Sequence, residues 1–298
     1  MQIICANHSS FPALPSPTDL ADVLRAQDAA GMDVVTDGQL GWSDPVAPLL
    51  GRLDGVRFGA VRTLPGGLGR GPQPIVSGKL RRHHPLCVAA YQRAAAATRA
   101  PVKTVMTGPY TLAHAAAIAT TAYRGAAALA RDLAAILAQE VEALVAAGAR
   151  VIQIDEPSIL GAPHDIRLLR ELLEPLADAT GGGAELIIAT YGADAVPLYA
   201  QLNTLPGDVI AIDCVSDPRL IDIVAETGSG KPLALGLAGA PVAEAAAIAR
   251  QLERALARYV HPRIYLQPAY GLAALAPPAA RARLDALANA RTAVQAAR

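Results

Sequence analysis

Short apolar runs alternate along this chain with longer stretches in which apolar residues return every third and fourth position. The runs lie at Gln2–Cys5, Asp33–Thr36, Lys103–Thr107, Val151–Asp155, Leu186–Thr190, Val209–Asp213, Pro232–Gly236 and Arg263–Gln267, and each reads as a buried strand. The amphipathic stretches lie at Thr18–Ala30, Leu80–Thr98, Tyr123–Ala147, Ile166–Ala179, Ala193–Leu202, Pro218–Glu226, Pro241–Tyr259 and Pro277–Ala297. Leu129, Leu133, Ile136 and Leu137 illustrate the helical spacing. Helix starts are marked by Ser16-Pro17 before the first helix and Pro277-Pro278 before the last.

Eight strands alternating with helices predict an α/β protein of the parallel, eight-stranded (β/α)8 TIM-barrel class, one domain across residues 1–298. A doubly wound open sheet is the competing architecture. It usually carries a glycine-rich phosphate turn after its first strand, where this chain reads Ala6-Asn7-His8-Ser9-Ser10-Phe11-Pro12. Gly66–Gly78 is rich in Gly and Pro and predicts a loop or hairpin over one barrel face. No Gly-Lys-Ser/Thr follows it, which argues against a phosphate loop.

Composition narrows the class. Hydrophobic residues make up 52% and charged residues 17%, enough to bury a large core. With 26 basic and 26 acidic residues, no nucleic-acid or membrane surface is expected. Cys5, Cys87 and Cys214 lack the spacing of a disulfide framework or a zinc ribbon. The first residues lack a signal-peptide pattern, and the long alanine-rich runs are broken by charges. The expectation is a cytoplasmic protein, monomer or homodimer, acting on a small molecule.

In a barrel the active site lies where the strands end. Those ends bring His8, Ser10 and Phe11; Asp37, Gln39, Trp42 and Asp44; Thr107, Tyr110 and His114; Asp155 and Glu156; Thr190 and Tyr191; Asp213 and Cys214; and Gln267 and Tyr270. The chain has one Trp, eight Tyr and two Phe, and Phe11, Trp42, Tyr110, Tyr191 and Tyr270 all fall on this rim. Aromatic faces with carboxylates suit a flat, nitrogen-rich or partly cationic ligand; the alternative is that the tyrosines cap the barrel and tie down loops. His8 and His114 are candidate proton-transfer groups or, alternatively, loop anchors. His83-His84 beside Arg81 and Arg82 reads as a solvated basic patch.

Ile152-Gln153-Ile154-Asp155-Glu156-Pro157 resembles the signature strand of the cobalamin-independent methionine synthase family. So do His8–Pro12 at its first-strand turn, Val34–Val56 at its second strand and helix, Thr107–Leu112 at its Gly-Pro-x-Thr turn, and Gln267–Leu272 at its final Pro-Asp-Cys-Gly-Leu. The resemblance spans nearly the whole chain and covers that family's catalytic barrel, without its second, duplicated domain. It implies zinc held by a His-x-Cys pair after strand five, a Glu after strand six and a Cys after strand eight. The zinc activates homocysteine to take a methyl group from a folate. Here those positions read Ile188-Ala189-Thr190, Asp213 and Tyr270. Isoleucine offers no donor, and a neutral hydroxyl or phenol is a poor zinc ligand. The turn holding the homocysteine amine reads Gly38-Gln39-Leu40-Gly41-Trp42, the Asn-Trp pair reads His114-Ala115, and the His after strand seven is replaced within Leu237–Ala240. The Asp that contacts the acceptor's amino group survives as Asp155.

The expectation is therefore methyl transfer that is metal-free, uses no cofactor such as S-adenosylmethionine, and involves an N-methylated, pteridine-like heterocycle. Asp155, Asp213, His8 and His114 are its candidate catalytic groups. Phe11, Gln39, Trp42, Tyr110, Glu156, Thr190, Tyr191 and Tyr270 are its candidate binding groups. Glu156, next along the strand from Asp155, is expected to point the other way or to cap the following loop. Three alternatives stand beside this reading. One is a heterocycle-binding protein without turnover. Another is a zinc-dependent thiol methyltransferase with ligands relocated to Cys5, His8, His114 and Cys214. The last is a uroporphyrinogen-type decarboxylase, for which Arg70 is the one arginine near a rim loop.

Overall fold

The computed structural model describes residues 1–14, 19–66, 68–239 and 244–297. The expected helix-start pair Ser16-Pro17, Thr18 and Pro241 lie outside the described residues.

Seven of the expected strands form one parallel, curled sheet. They are β1 (Gln2–Cys5), β4 (Lys103–Thr107), β6 (Val151–Asp155), β7 (Glu185–Thr190), β8 (Val209–Asp213), β9 (Leu233–Ala238) and β10 (Arg263–Pro268), in the order β1-β10-β9-β8-β7-β6-β4. The eighth, Asp33–Thr36, is not a regular strand. It makes two isolated parallel bridges, Val34 to Ala6 beyond β1 and Val35 to Val102 before β4. The departure has a local cause. The Asp33 carboxylate, also engaged by Arg291, accepts the Cys5 N–H at 2.7 Å, so a side chain takes a ladder position that a carbonyl would fill.

Helices α1 (Leu20–Ala29), α3 (Val88–Ala97), α5 (Ala126–Ala146), α6 (Ile166–Asp178), α7 (Tyr199–Leu202), α8 (Arg219–Thr227), α9 (Ala245–Ala255) and α10 (Pro277–Ala296) follow the amphipathic pattern, and short α2 (Ala47–Leu50) and α4 (Pro109–Ala115) sit at strand ends. None of the described helices is long and apolar enough to cross a membrane. Period-two alternation sorts the strand residues into two layers. Ile152, Ile154, Leu186, Ile188, Ile210, Ile212, Leu233 and Leu235 belong to the large core shared with the helices. Ile4, Ala6, Val34, Val151, Ile187, Ala189, Val209, Ala211, Ala234 and Tyr265 form a smaller cluster inside the sheet's curl. Many of the inner residues are alanines, which leaves room for the longer side chains of Lys103, Gln153, Tyr265 and Gln267, all buried.

The Gly/Pro-rich excursion is a hairpin and longer than expected. β2 (Asp54–Thr63) pairs antiparallel with β3 (Arg70–Arg81), which adds β5 (Ala117–Ile118). Leu80, expected to start a helix, is the penultimate residue of β3, and that helix begins only at Val88. The hairpin reaches over the strand ends: a Cβ at Gly66 would strike Ser158, and one at Gly71 would strike the Asp44 carboxylate.

Candidate functional site

Three elements bring one cluster together at the strand ends. β1 runs into His8, β6 ends in Asp155, and β7 is followed by Tyr191. The Tyr191 hydroxyl donates to Asp155 Oδ2 at 3.3 Å, and the His8 ring meets the Tyr191 ring edge-on with centroids 5.0 Å apart. His8 Nδ1 lies 3.0 Å from Ser9 Oγ. Burial holds the His8 pKa well below the usual histidine value, with the Lys103 charge adding to the effect, so the ring is neutral. Burial raises Tyr191 far above an ordinary phenol, and the adjoining Asp155 carboxylate raises it further.

The carboxylates at this end of the sheet differ in what already holds them. Asp213 Oδ1 accepts the N–H groups of Val215 and Ser216, each at 2.9 Å. Its Oδ2 accepts the Gly192 N–H at 3.0 Å and the Ser216 hydroxyl at 2.5 Å. Glu156 points away from Asp155 and crosses to the start of α4. There Oε1 accepts the Tyr110 N–H at 2.9 Å and Oε2 the Thr111 N–H at 2.8 Å. Asp44 Oδ1 caps α2 through the Val46 and Ala47 N–H groups. Asp155 is different. Its partners are two side chains, Gln153 through Nε2 at 2.7 Å and Tyr191. Burial pushes Asp155 up to about 6, opposed by the Gln153 bond and by the Lys103 charge.

The other expected site residues scatter. Phe11 and Tyr110 are not open rim residues but members of the large core, at 2% and 0% exposure. Tyr110 is anchored further by its hydroxyl, 2.8 Å from Asp165 Oδ2. His114 lies exposed on α4 with Nδ1 2.8 Å from the Tyr110 carbonyl and its ring 3.9 Å from the Tyr110 ring, away from His8 and Asp155. Trp42 lines a separate cleft of about 320 Å³ with Asp37, Leu40, Arg52 and Arg93, none of which is in the His8–Tyr191–Asp155 cluster. Gln39 adopts φ of 50° between Gly38 and Gly41, both also at positive φ, so this turn follows a path that L side chains seldom take. Thr190 is buried, and its hydroxyl has no partner among the described residues. Tyr270 is half-buried just past β10.

Zinc, the metal implied by the resemblance, finds no matching donor set. Ile188 is packed in the helix-facing core, Thr190 is neutral, and both oxygens of Asp213 are already occupied. The relocated set does not converge either. Cys5 and Cys214 are in the helix-facing core, with burial raising both thiols above their ordinary range, and His114 is exposed. No group of three His, Cys, Asp or Glu side chains fit to hold a metal occurs among the described residues. Arg70 is exposed on β3.

Below Asp155 lies a polar column that the strand-end residues did not reveal. Lys103 Nζ, buried within the sheet's curl, donates to Gln153 Oε1 at 2.5 Å and to Gln267 Oε1 at 3.2 Å. Deeper still, Glu185 is bound by Arg263 and by the Tyr265 hydroxyl. The signal existed in the sequence: Lys103 is in phase with Thr107, and Gln153 with Asp155, so alternation places both on the inner face.

Known proteins place this geometry. The sequence profile described as "Cobalamin-independent synthase, Catalytic domain" matches residues 15–296. A 5-methyltetrahydropteroyltriglutamate–homocysteine methyltransferase of Corynebacterium efficiens is 28% identical over 278 residues, covering 85% of this chain and 35% of that protein. This chain thus spans about a third of that relative's length. A methionine synthase of Saccharolobus solfataricus is 26% identical over 249 residues, covering 82% of this chain and 73% of the relative. Among solved structures, the B12-independent methionine synthase of Shewanella sp. W3-18-1 in complex with selenomethionine superposes with a TM-score of 0.86 at 21% identity, over 100% of this chain and 99% of the other. That likeness is one of fold. The profile match runs nearly end to end, and the chain belongs to the cobalamin-independent methionine synthase family, in its catalytic domain.

Proposed function

We propose that this chain catalyses methyl transfer without a bound metal and without S-adenosylmethionine, with a pteridine-like N-methylated ring as the donor. The observation that carries this reading is the unequal state of the carboxylates. Asp213, at the position where the family resemblance implies a metal ligand, has both oxygens filled by protein donors. Asp155 has none of its capacity taken by backbone, and Tyr191 and His8 stand beside it. A carboxylate so placed suits an amine or a ring N–H. The name of the Corynebacterium efficiens relative supports the donor class, since it specifies a methyltetrahydropteroyl group. The bridges at Val34 and Val35 support reading residues 33–36 as the eighth stave of a closed barrel, which would put His8 and Asp155 around one mouth.

In such a transfer the acceptor's lone pair forms the new bond to the methyl carbon while the donor's N–CH3 bond breaks, its electron pair staying on the donor nitrogen. The acceptor sheds its N–H proton and the donor nitrogen, which keeps the released pair, takes up a proton, so a neutral donor and a neutral acceptor give neutral products. Asp155 would hold that N–H and the positive charge growing on it. Alignment of the two partners can supply on the order of 7–11 kcal/mol of barrier reduction.

A second reading follows from the name of the Corynebacterium efficiens relative, which specifies homocysteine as acceptor. Its amine would also suit Asp155, and the thiol chemistry would require zinc. Elemental analysis of protein never exposed to chelator, followed by methyl-transfer assays with and without chelator, separates the two. The metal-free reading expects far less than one zinc per chain and activity unchanged by chelator. About one zinc per chain with chelator-sensitive thiol methylation would overturn it, and tight ligand binding without product would identify a binding protein.

A further inference from the structure

Lys103 is the one cation enclosed by the sheet's curl for which the described residues provide no direct carboxylate contact. It is 1% exposed, and it donates to two neutral amides, Gln153 and Gln267. An ammonium only donates. Both glutamines must therefore turn their oxygens toward it. For Gln153 this fixes the amide's other end: Nε2 points along β6 to Asp155 Oδ1, 2.7 Å away. Without the lysine, either orientation of the Gln153 amide would be open, and one of the two would set its oxygen against the carboxylate.

We infer that Lys103 is a positioning residue for Asp155, acting through the Gln153 amide to keep that carboxylate charged and aimed at the barrel mouth. The groups around it make this arrangement the simplest one. From β7, Glu185 is already engaged by Arg263 and Tyr265 of β10, and Tyr191 donates to Asp155. From β10, Gln267 accepts from Lys103. From beyond β1, His8 is neutral and buried. Asp155 is thus the carboxylate without a cation of its own, and its charge opposes the lysine's shift most, with Glu185 second. Burial lowers Lys103 to about 7 and raises Asp155 to about 6, and each charge opposes the shift of the other. The value of this device for catalysis rests on the proposed use of Asp155. The linkage between the two residues does not.

The test is a carbon-13 NMR titration of the Asp155 carboxyl, assigned by its loss in Asp155→Asn, in wild type, Lys103→Met and Gln153→Met. The midpoint should rise by at least one pH unit in both variants. By reciprocity, Asp155→Asn should lower the Lys103 midpoint, read at the Cε carbon, by the same amount that Lys103→Met raises that of Asp155. The Asp155→Asn arm keeps the inference testable if the core variants do not fold. Unchanged midpoints in any folded variant would overturn it. Shifted midpoints with unaltered ligand affinity would uphold the linkage and overturn the assigned role of Asp155 in binding substrate. A merely space-filling Lys103 would leave the titrations where they were.

Discussion

At the scale of single residues, chemistry at this site is a matter of which acceptors are already filled. Asp213 ends β8 and Asp155 ends β6, with β7 between them, and both are buried; Asp213 is filled by protein donors on both oxygens, whereas Asp155 meets only two side chains among the described residues. Asp155→Asn removes the charge at nearly constant shape. It should weaken binding of an amine-bearing or N–H-bearing ligand by roughly 10- to 100-fold, the worth of one charge-assisted hydrogen bond, as read by titration calorimetry. Asp213→Asn should act differently. It leaves ligand affinity unaltered and lowers stability, because an amide cannot accept the three N–H groups that the carboxylate accepts. That a buried strand ends in Asp155-Glu156 was legible from the sequence alone. Which of the two carboxylates is free was legible only in part: alternation sends them to opposite faces, but the amides that fill Glu156 come from a segment 45 residues away. Lys103 was not legible because one lysine at the head of a short strand reads as an exposed start rather than as a buried group bonded to Gln153.

At the scale of elements, Glu156 serves as the cap of α4 from a different strand. The helix has no side-chain cap of its own; Gly108 precedes it and Pro109 opens it. Gly108 is required by this arrangement, since a Cβ there would collide with the Glu156 carboxylate. Burial raises Glu156 to about 7 against the pull of its two backbone amides. Glu156→Gln must turn its NH2 toward one of those N–H groups, leaving that donor buried and unpaired. A loss of about 1–3 kcal/mol is expected, measured as a lower urea midpoint at unchanged slope. Most helices were legible because an apolar stripe with a 3.6-residue period persists over two or more turns. The hairpin was legible only as an excursion. Pro72 and Pro74 interrupt the strand signal in β3, and their lost N–H groups are tolerated because β5 pairs only with Ile75 and Val76. The stretch at Asp33–Thr36 misled in the opposite direction, since an apolar run cannot reveal that the Asp33 carboxylate will supplant a backbone acceptor.

At the scale of the whole molecule, several titratable groups are buried, and their shifts set the pH dependence of folding. Asp155 and Glu156, raised to about 6 and about 7, and Asp37, raised by burial, retain protons in the folded chain that the unfolded chain has released. Their contribution is complete at acid pH and is lost as pH rises through those values. His8 opposes them: buried and neutral, it contributes above pH 6.5 and loses that contribution in acid. Three groups outweigh one, so stability should fall as pH rises from about 4.5 to about 7, by up to about 1.4 kcal/mol per pH unit for each net proton. Lys103, lowered to about 7, adds the reverse slope above neutrality, because the unfolded chain holds a proton there that the folded chain has given up. Urea midpoints at pH 5, 7 and 8.5 should therefore pass through a minimum near pH 7, still below the range where the buried thiols titrate. In Asp155→Asn the fall between pH 5 and 7 should become shallower by about one proton. A maximum at neutral pH in the unaltered protein would mean that the column from Lys103 to Asp155 is neutralised by hydrogen bonding well enough to cancel the cost of its burial.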